Sequence, residues 1–141
     1  MNDNIPRLVI TPGDPAGIGP DLCVLIAQRD IPAELVVIAD SNLLKERAEQ
    51  LGIKTRVEEF VEPGSKRRKH SPGVLSVIHE PLTEKVTAGE LNQANARYVL
   101  NTLDKAIDGC LEHSFDALVT GPVHKGIINS AGIFIYSVTD C

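Results

Sequence analysis

The sequence predicts an α/β protein with a parallel sheet in a three-layer α/β/α arrangement. Short continuous apolar runs, Leu8-Val9-Ile10, Leu35 to Ala39 and Leu118-Val119, alternate with segments of helical period. Apolar runs without polar alternation suit strands buried on both faces of a parallel sheet. Glycine- and proline-rich turns follow the first and last of these runs and lead toward helix starts. In open α/β sheets, ligands bind at such carboxyl-end loops.

Residues 7–11 read as the first strand. Thr11-Pro12-Gly13-Asp14-Pro15-Ala16-Gly17-Ile18-Gly19-Pro20 follows, with three glycines and three prolines in ten residues. Glycine allows close backbone approach and proline fixes φ, so this is a shaped loop rather than a linker. A helix is expected over about 20–29 and a second strand over Leu35 to Ala39. The next helix spans about Asn42 to Leu51, with Ser41 able to cap it, Asp40 able to help start it and Gly52 as its stop. Leu44, Ala48 and Leu51 form its apolar face. This βαβα opening predicts a right-handed crossover.

Further strands are expected at Val57 to Val61 and Val74 to His79. Between them runs Pro63-Gly64-Ser65-Lys66-Arg67-Arg68-Lys69-His70-Ser71-Pro72-Gly73, whose basic core could meet phosphate or nucleic acid. No aromatics accompany it, which favours a solvated loop. Thr87 and Glu90 have capping-box spacing, predicting a helix to about Leu111. Its expected apolar stripe is Leu91, Ala94, Tyr98, Leu103, Ala106, Ile107 and Cys110. Asp116 to Thr120 reads as a last short buried strand, running into Gly121-Pro122-Val123-His124-Lys125-Gly126.

The chain has 141 residues, 43% of them hydrophobic, and 14 basic against 19 acidic residues give a net charge of -5. That charge argues against general nucleic-acid affinity. No apolar run approaches the roughly 20 residues that cross a bilayer, and the first residues lack signal-peptide character. Cys23, Cys110 and Cys141 imply no disulfide framework, so a cytoplasmic location is expected. His70, His79 and His113 form no ligand cluster with His124 and are expected at the surface. Cys23 and Cys110 fall on apolar helical patterns and are expected in the core.

The first loop matches neither common phosphate cradle. A P-loop needs Lys and Ser or Thr after its last glycine, where Pro20 and Asp21 stand. A dinucleotide fingerprint needs Gly-x-Gly-x-x-Gly, whereas the glycines at 13, 17 and 19 give Gly-x-x-x-Gly-x-Gly. Asp40, at the end of the second strand, stands where a ribose-binding acid would be but reads better as a helix initiator. In the second turn, Lys125 can neutralise a phosphate or carboxylate, and His124 can bind an anion or exchange a proton. Equally, Lys125 can be a solvated helix residue and His124 a satisfied hydrogen-bonding group.

Thr11 to Asp21, together with Leu118-Val-Thr-Gly-Pro-Val-His-Lys-Gly-Ile-Ile-Asn129, closely resembles the 4-hydroxythreonine-4-phosphate dehydrogenase family over about residues 7–133. The loop is also similar, more weakly, to the isocitrate/isopropylmalate dehydrogenase fold group. The resemblance implies an incomplete three-layer sheet of that type. It implies NAD- or NADP-dependent oxidation of 4-phosphooxy-L-threonine in pyridoxal phosphate biosynthesis. It also implies a homodimer and a divalent metal (Zn, Mg or Co) that polarises the reacting oxygen.

In the family, Pro-Phe-x-Gly-His-Thr-Glu would follow Gly132-Ile133, whereas Phe134-Ile-Tyr-Ser-Val-Thr-Asp-Cys141 stands here. In unshifted register Val138 replaces the histidine and Thr139 keeps the substrate-contacting threonine. The family's metal-binding histidines and nicotinamide site have no counterpart in residues 1–141. The expected organisation is therefore an α/β portion of a larger dehydrogenase with a divergent tail over 134–141, through truncation or a frameshift near codon 134. The chain alone is expected to be inactive. Thr120, His124, Lys125 and Thr139 are the substrate-side candidates, and Asp14, Gly17 and Gly19 shape the cofactor-side loop. No metal ligand or catalytic residue is assigned. The competing reading is a non-catalytic protein that binds a phosphorylated metabolite or a family subunit.

Overall fold

The computed structural model describes residues 5–61, 66–86, 89 and 93–122. Five strands form one sheet: β1 (Arg7–Thr11), β2 (Glu34–Ala39), β3 (Arg56–Glu59), β4 (Val74–His79) and β5 (Ala117–Thr120). Their spatial order is β3-β4-β2-β1-β5 and every pairing is parallel. Val9 therefore stands between Val36 of β2 and Leu118 of β5. The order reverses at β1, the arrangement that opens a crevice at the carboxyl edge of an α/β sheet.

Helices α1 (Gly19–Ile26) and α2 (Ser41–Leu51) pack on one face, and α3 (Ala96–Leu111) covers the other. Strand β2 shows why its run is wholly apolar. Leu35, Val37 and Ala39 point toward Cys23 and Val24 of α1 and Leu44 and Ala48 of α2. Val36 and Ile38 point the opposite way, toward Ala106 of α3 and Phe115. Burying each such aliphatic side chain contributes about 1.5–3 kcal/mol before the entropy of ordering is subtracted. The three layers are as expected.

Several boundaries differ from the expected ones. Helix α1 ends at Ile26, and Gln28 and Arg29 continue in tight turns to the carbonyls of Leu25 and Ile26. Strand β3 ends at Glu59, leaving Val61 exposed. Helix α3 starts at Ala96 after a 3-10 turn over Gln93–Asn95. Thr87 and Glu90 lie outside the described residues, but Gly89 between them has φ 82, which an α-helix cannot accommodate. The buried stripe of α3 includes Val99, Thr102 and Gly109, whereas Ile107 is exposed. Phe115 packs on Gly109: its ring lies so close that a β-carbon there would stand 2.4 Å from it.

Asp40, not Ser41, caps α2. Its extended backbone lets Oδ1 accept from the amides of Asn42 (2.8 Å) and Leu43 (3.2 Å). Ser41 is already helical, and its N–H donates to His79 Nδ1. Gly52 closes the helix as expected, in the left-handed region.

The basic segment is no freely solvated loop. Its described part, Lys66 to Ser71, lies against the amino edge of the sheet. Arg67 pairs with Asp116 and donates to the Ile5 carbonyl. The Arg68 amide donates to Glu34 Oε2, and Lys69 pairs with Asp30 at 2.9 Å. His70, expected at the surface, is half-buried, with Nε2 2.8 Å from the Ala27 carbonyl oxygen. Glu34 is buried and also takes Arg7 Nε, so the strap closes a charge network over the starts of β1 and β2.

Candidate functional site

The glycine loop and the turn after β5 meet at the carboxyl edge of β1 and β5. The Gly121 amide donates to the Thr11 carbonyl (2.7 Å), and the Asp14 amide donates to the Pro122 carbonyl (3.0 Å). Contact this close requires glycine. Gly13 has φ +83, and a β-carbon on it would lie 2.1 Å from the Pro122 oxygen. A β-carbon on Gly19 would lie 1.6 Å from the Pro12 oxygen. Gly17 is different: the nearest atom to its absent β-carbon is the Asp14 oxygen, at 3.4 Å, an ordinary contact.

Asp14 organises the loop from inside. Its Oδ1 accepts the Ala16 amide (2.9 Å), and its carbonyl accepts the Gly17 amide (3.0 Å). The Ala16 carbonyl in turn accepts the Gly89 amide (2.8 Å), bringing a third segment to the loop. Ile18 begins α1 without a side-chain cap, and Pro20 occupies the first turn. The amides of a helix's first turn lack intrahelical partners, which suits that end to negative charge. Asp21 in the same turn opposes such a charge.

Arg47, which the apolar pattern of α2 does not reveal, holds this loop from beneath. It sits on the face of Leu44 and Ala48 and is only 4% exposed. Its guanidinium donates to the Pro15 carbonyl (2.7 Å), the Gly17 carbonyl (2.9 Å) and Asp21 Oδ1 (3.0 Å). The available sequence signal was a cation at helical spacing from two core positions.

Asp40 is fully engaged in structure. Beyond capping α2, its Oδ2 accepts the Leu82 amide (2.9 Å), and its own N–H donates to Tyr98 Oη (3.0 Å). Burial raises the Tyr98 phenol well above its usual range, while the Asp40 N–H works in the opposite direction. These bonds and its burial turn the Asp40 carboxylate inward, which favours the helix-initiating reading over a ribose-binding one.

Of the substrate-side candidates, Thr120 is exposed at the end of β5, paired in register with Thr11 of β1. His124, Lys125 and Thr139 lie outside the described residues. Cys23 is buried in the core as expected, and Cys110 is half-buried against the α3 face of the sheet. Burial pushes the Cys23 thiol up to about 12. His79 and His113 are exposed.

A cavity of about 350 Å³ lies away from this edge, between β3 and the basic strap. Its lining mixes Glu58 and Glu59 with Arg68, Lys69 and His70, and shares no residue with the two loops. The loop pair, where several segments converge at strand ends, is the stronger candidate site. Among the described residues no three His, Cys, Asp or Glu side chains converge as metal ligands. No described helix is long and apolar enough to cross a membrane.

A parallel sheet with this loop pair at its carboxyl edge defines an α/β protein of the isocitrate/isopropylmalate dehydrogenase-like type. The chain belongs to the family described as pyridoxal phosphate biosynthetic protein PdxA, whose model matches residues 31–141. A Salmonella typhimurium structure assigned as a 4-hydroxythreonine-4-phosphate dehydrogenase superposes with a TM-score of 0.80 at 26% identity, over 95% of this chain. The Klebsiella pneumoniae enzyme of that name gives 0.73 at 28% identity over 90% of this chain. The Burkholderia phymatum one gives 0.82 at 21% over 96%, a likeness of fold. The chain spans 43%, 40% and 42% of those three chains respectively.

Proposed function

We propose that this α/β unit contributes the carboxyl-edge loops of a 4-hydroxythreonine-4-phosphate dehydrogenase. The reaction is NAD- or NADP-dependent oxidation of 4-phosphooxy-L-threonine to a β-keto acid, which loses carbon dioxide to give 3-amino-2-oxopropyl phosphate. The observation that carries the reading is the backbone-to-backbone union of the two family-like motifs at one sheet edge, in a chain of the PdxA family. Bound NAD(P) would accept the hydride from the carbinol carbon. Asp14, Gly17 and Gly19 set the loop that faces the cofactor, and the first turn of α1 offers amides to a phosphate. Thr120 lines the substrate side with its hydroxyl, and His124, Lys125 and Thr139 extend that side by sequence position. The described residues do not fit a metal, and the reading routes no step through one.

This unit is proposed to bind the ligands of that reaction, and turnover is what the assay below reads. A second reading, a binding or subunit-interaction protein, draws support from the exposed α1 stripe of Ile18, Leu22 and Leu25. One assay separates the readings: NADH or NADPH formation with 4-phosphooxy-L-threonine and a divalent metal, alongside substrate and cofactor titrations. Turnover establishes the activity. Saturable binding of both ligands without turnover supports the contributing role. Binding of a phosphorylated metabolite without the cofactor favours the second reading, and absence of all binding overturns both.

A further inference from the structure

We infer that Arg47 is the positioning residue of the carboxyl-edge site, setting the shape and charge of the glycine loop from within the fold. The inference rests on the reading that this edge binds phosphate-bearing ligands. Leu44, Arg47 and Ala48 share the buried face of α2. A buried guanidinium is costly unless its donors are paired. Three of its five N–H groups are accounted for, and every acceptor lies between Pro15 and Asp21. Two of those acceptors are neutral carbonyls, and the third is a carboxylate whose side chain is 32% exposed. The charge is therefore poorly matched as a simple buried ion pair. As a clamp on the loop it is well matched.

Two consequences for a ligand follow. The Pro15 and Gly17 carbonyls point at α2, so their negative ends turn toward the interior. The Asp21 carboxylate, which would repel an anion at the start of α1, is partly neutralised. Helix α2 thereby fixes a loop that belongs to another strand–helix unit. Its own Asp40 cap holds Leu82 and Tyr98 in the same way.

The test compares the full chain with Arg47→Met, which keeps apolar bulk without donors, and Arg47→Lys, which keeps charge but cannot fork between the carbonyls. Amide hydrogen exchange is followed at Ala16 and Gly17 and at Val36 and Val37 of β2, with NADPH titrated by fluorescence. Arg47→Met should speed exchange at Ala16 and Gly17 at least tenfold while the β2 amides stay unchanged, and should weaken NADPH at least tenfold. Arg47→Lys should fall between, and it decides the matter should the methionine variant not fold. Unchanged loop exchange, equal acceleration of loop and sheet, or looser loop amides with unaltered NADPH affinity would each overturn the inference. A wild-type chain that binds no NADPH contradicts the proposed function instead, and the exchange comparison alone then decides the role of Arg47.

Discussion

The Asp14 amide donates to the Pro122 carbonyl at 3.0 Å, making the loop after β1 and the turn after β5 one structure. Neither segment carries a complete phosphate cradle. Together they form a rigid edge in which backbone carbonyls, glycine α-carbons and one buried arginine set the shape.

Alanine at Gly13 and at Gly17 should behave oppositely. Gly13→Ala adds a β-carbon 2.1 Å from a carbonyl oxygen at φ +83, so strain of about 1–3 kcal/mol or more is expected. Gly17→Ala meets only ordinary contacts and should change stability by less than about 1 kcal/mol. Urea denaturation of the two variants checks the contrast. Equal losses would show that the loop union does not set the glycine requirement.

Asp40→Ala should destabilise the fold by about 1–3 kcal/mol, because it removes the α2 cap and leaves the half-buried Leu82 amide without its acceptor. Asp40→Asn keeps the Oδ1 acceptor and should cost less. Thermal denaturation of the pair measures this, and neither change should exchange NAD preference for NADP if Asp40 is structural.

The strap should loosen in acid. The Arg67 side chain, then the Arg7 amide, donate to Asp116 and hold its carboxyl below the usual carboxylate range, against a smaller opposing effect of burial. A depressed folded-state pKa contributes stability above the unfolded value of about 3.9. That contribution is lost as pH falls through the folded value. An NMR titration of the Asp116 side chain should show the depressed midpoint, and Arg67→Met should raise it. High salt should shrink the effect, because Asp116 is exposed.

Cys23 should resist thiol reagents in the native chain. Its thiol is pushed up to about 12 by burial, so almost no thiolate exists at pH 8. Of the two described cysteines, Cys110, half-buried, should react before Cys23, and Cys23 only on unfolding. Mass spectrometry after timed alkylation distinguishes the order, and early labelling at Cys23 would contradict its core position.

Much of the sheet was legible because both-face burial leaves a local mark. The apolar runs at β1 and β2 need no knowledge of partners to be read as buried strands, whereas the run in β5, read the same way, lies at the sheet edge with Val119 exposed. Helix α2 was legible at both ends, since Asp40 and Gly52 act on their own neighbours, although Asp40 rather than Ser41 supplies the cap. On α3 the buried face takes in Gly109, which Phe115 covers from beyond the helix, and leaves Ile107 exposed. The basic strap was partly legible: Lys66, Arg68 and Lys69 are exposed as read, whereas Arg67 and His70 are half-buried because Asp116 and the Ala27 carbonyl reach them from elsewhere. Arg47 was invisible because a pattern of apolar positions cannot distinguish a buried cation from an exposed one.

By itself the sequence determined the fold class, the stops of α2 and α3 and the two motifs that mark the family. These depend on local propensities: burial periodicity, cap chemistry and glycine-proline backbone limits. Only the tertiary structure decided that the motifs touch, that Arg47 grips the first of them and that Asp40 is spent on structure. Those facts depend on hydrogen bonds between segments remote in the chain, whose geometry exists only once the parallel sheet has brought β1, β2 and β5 side by side.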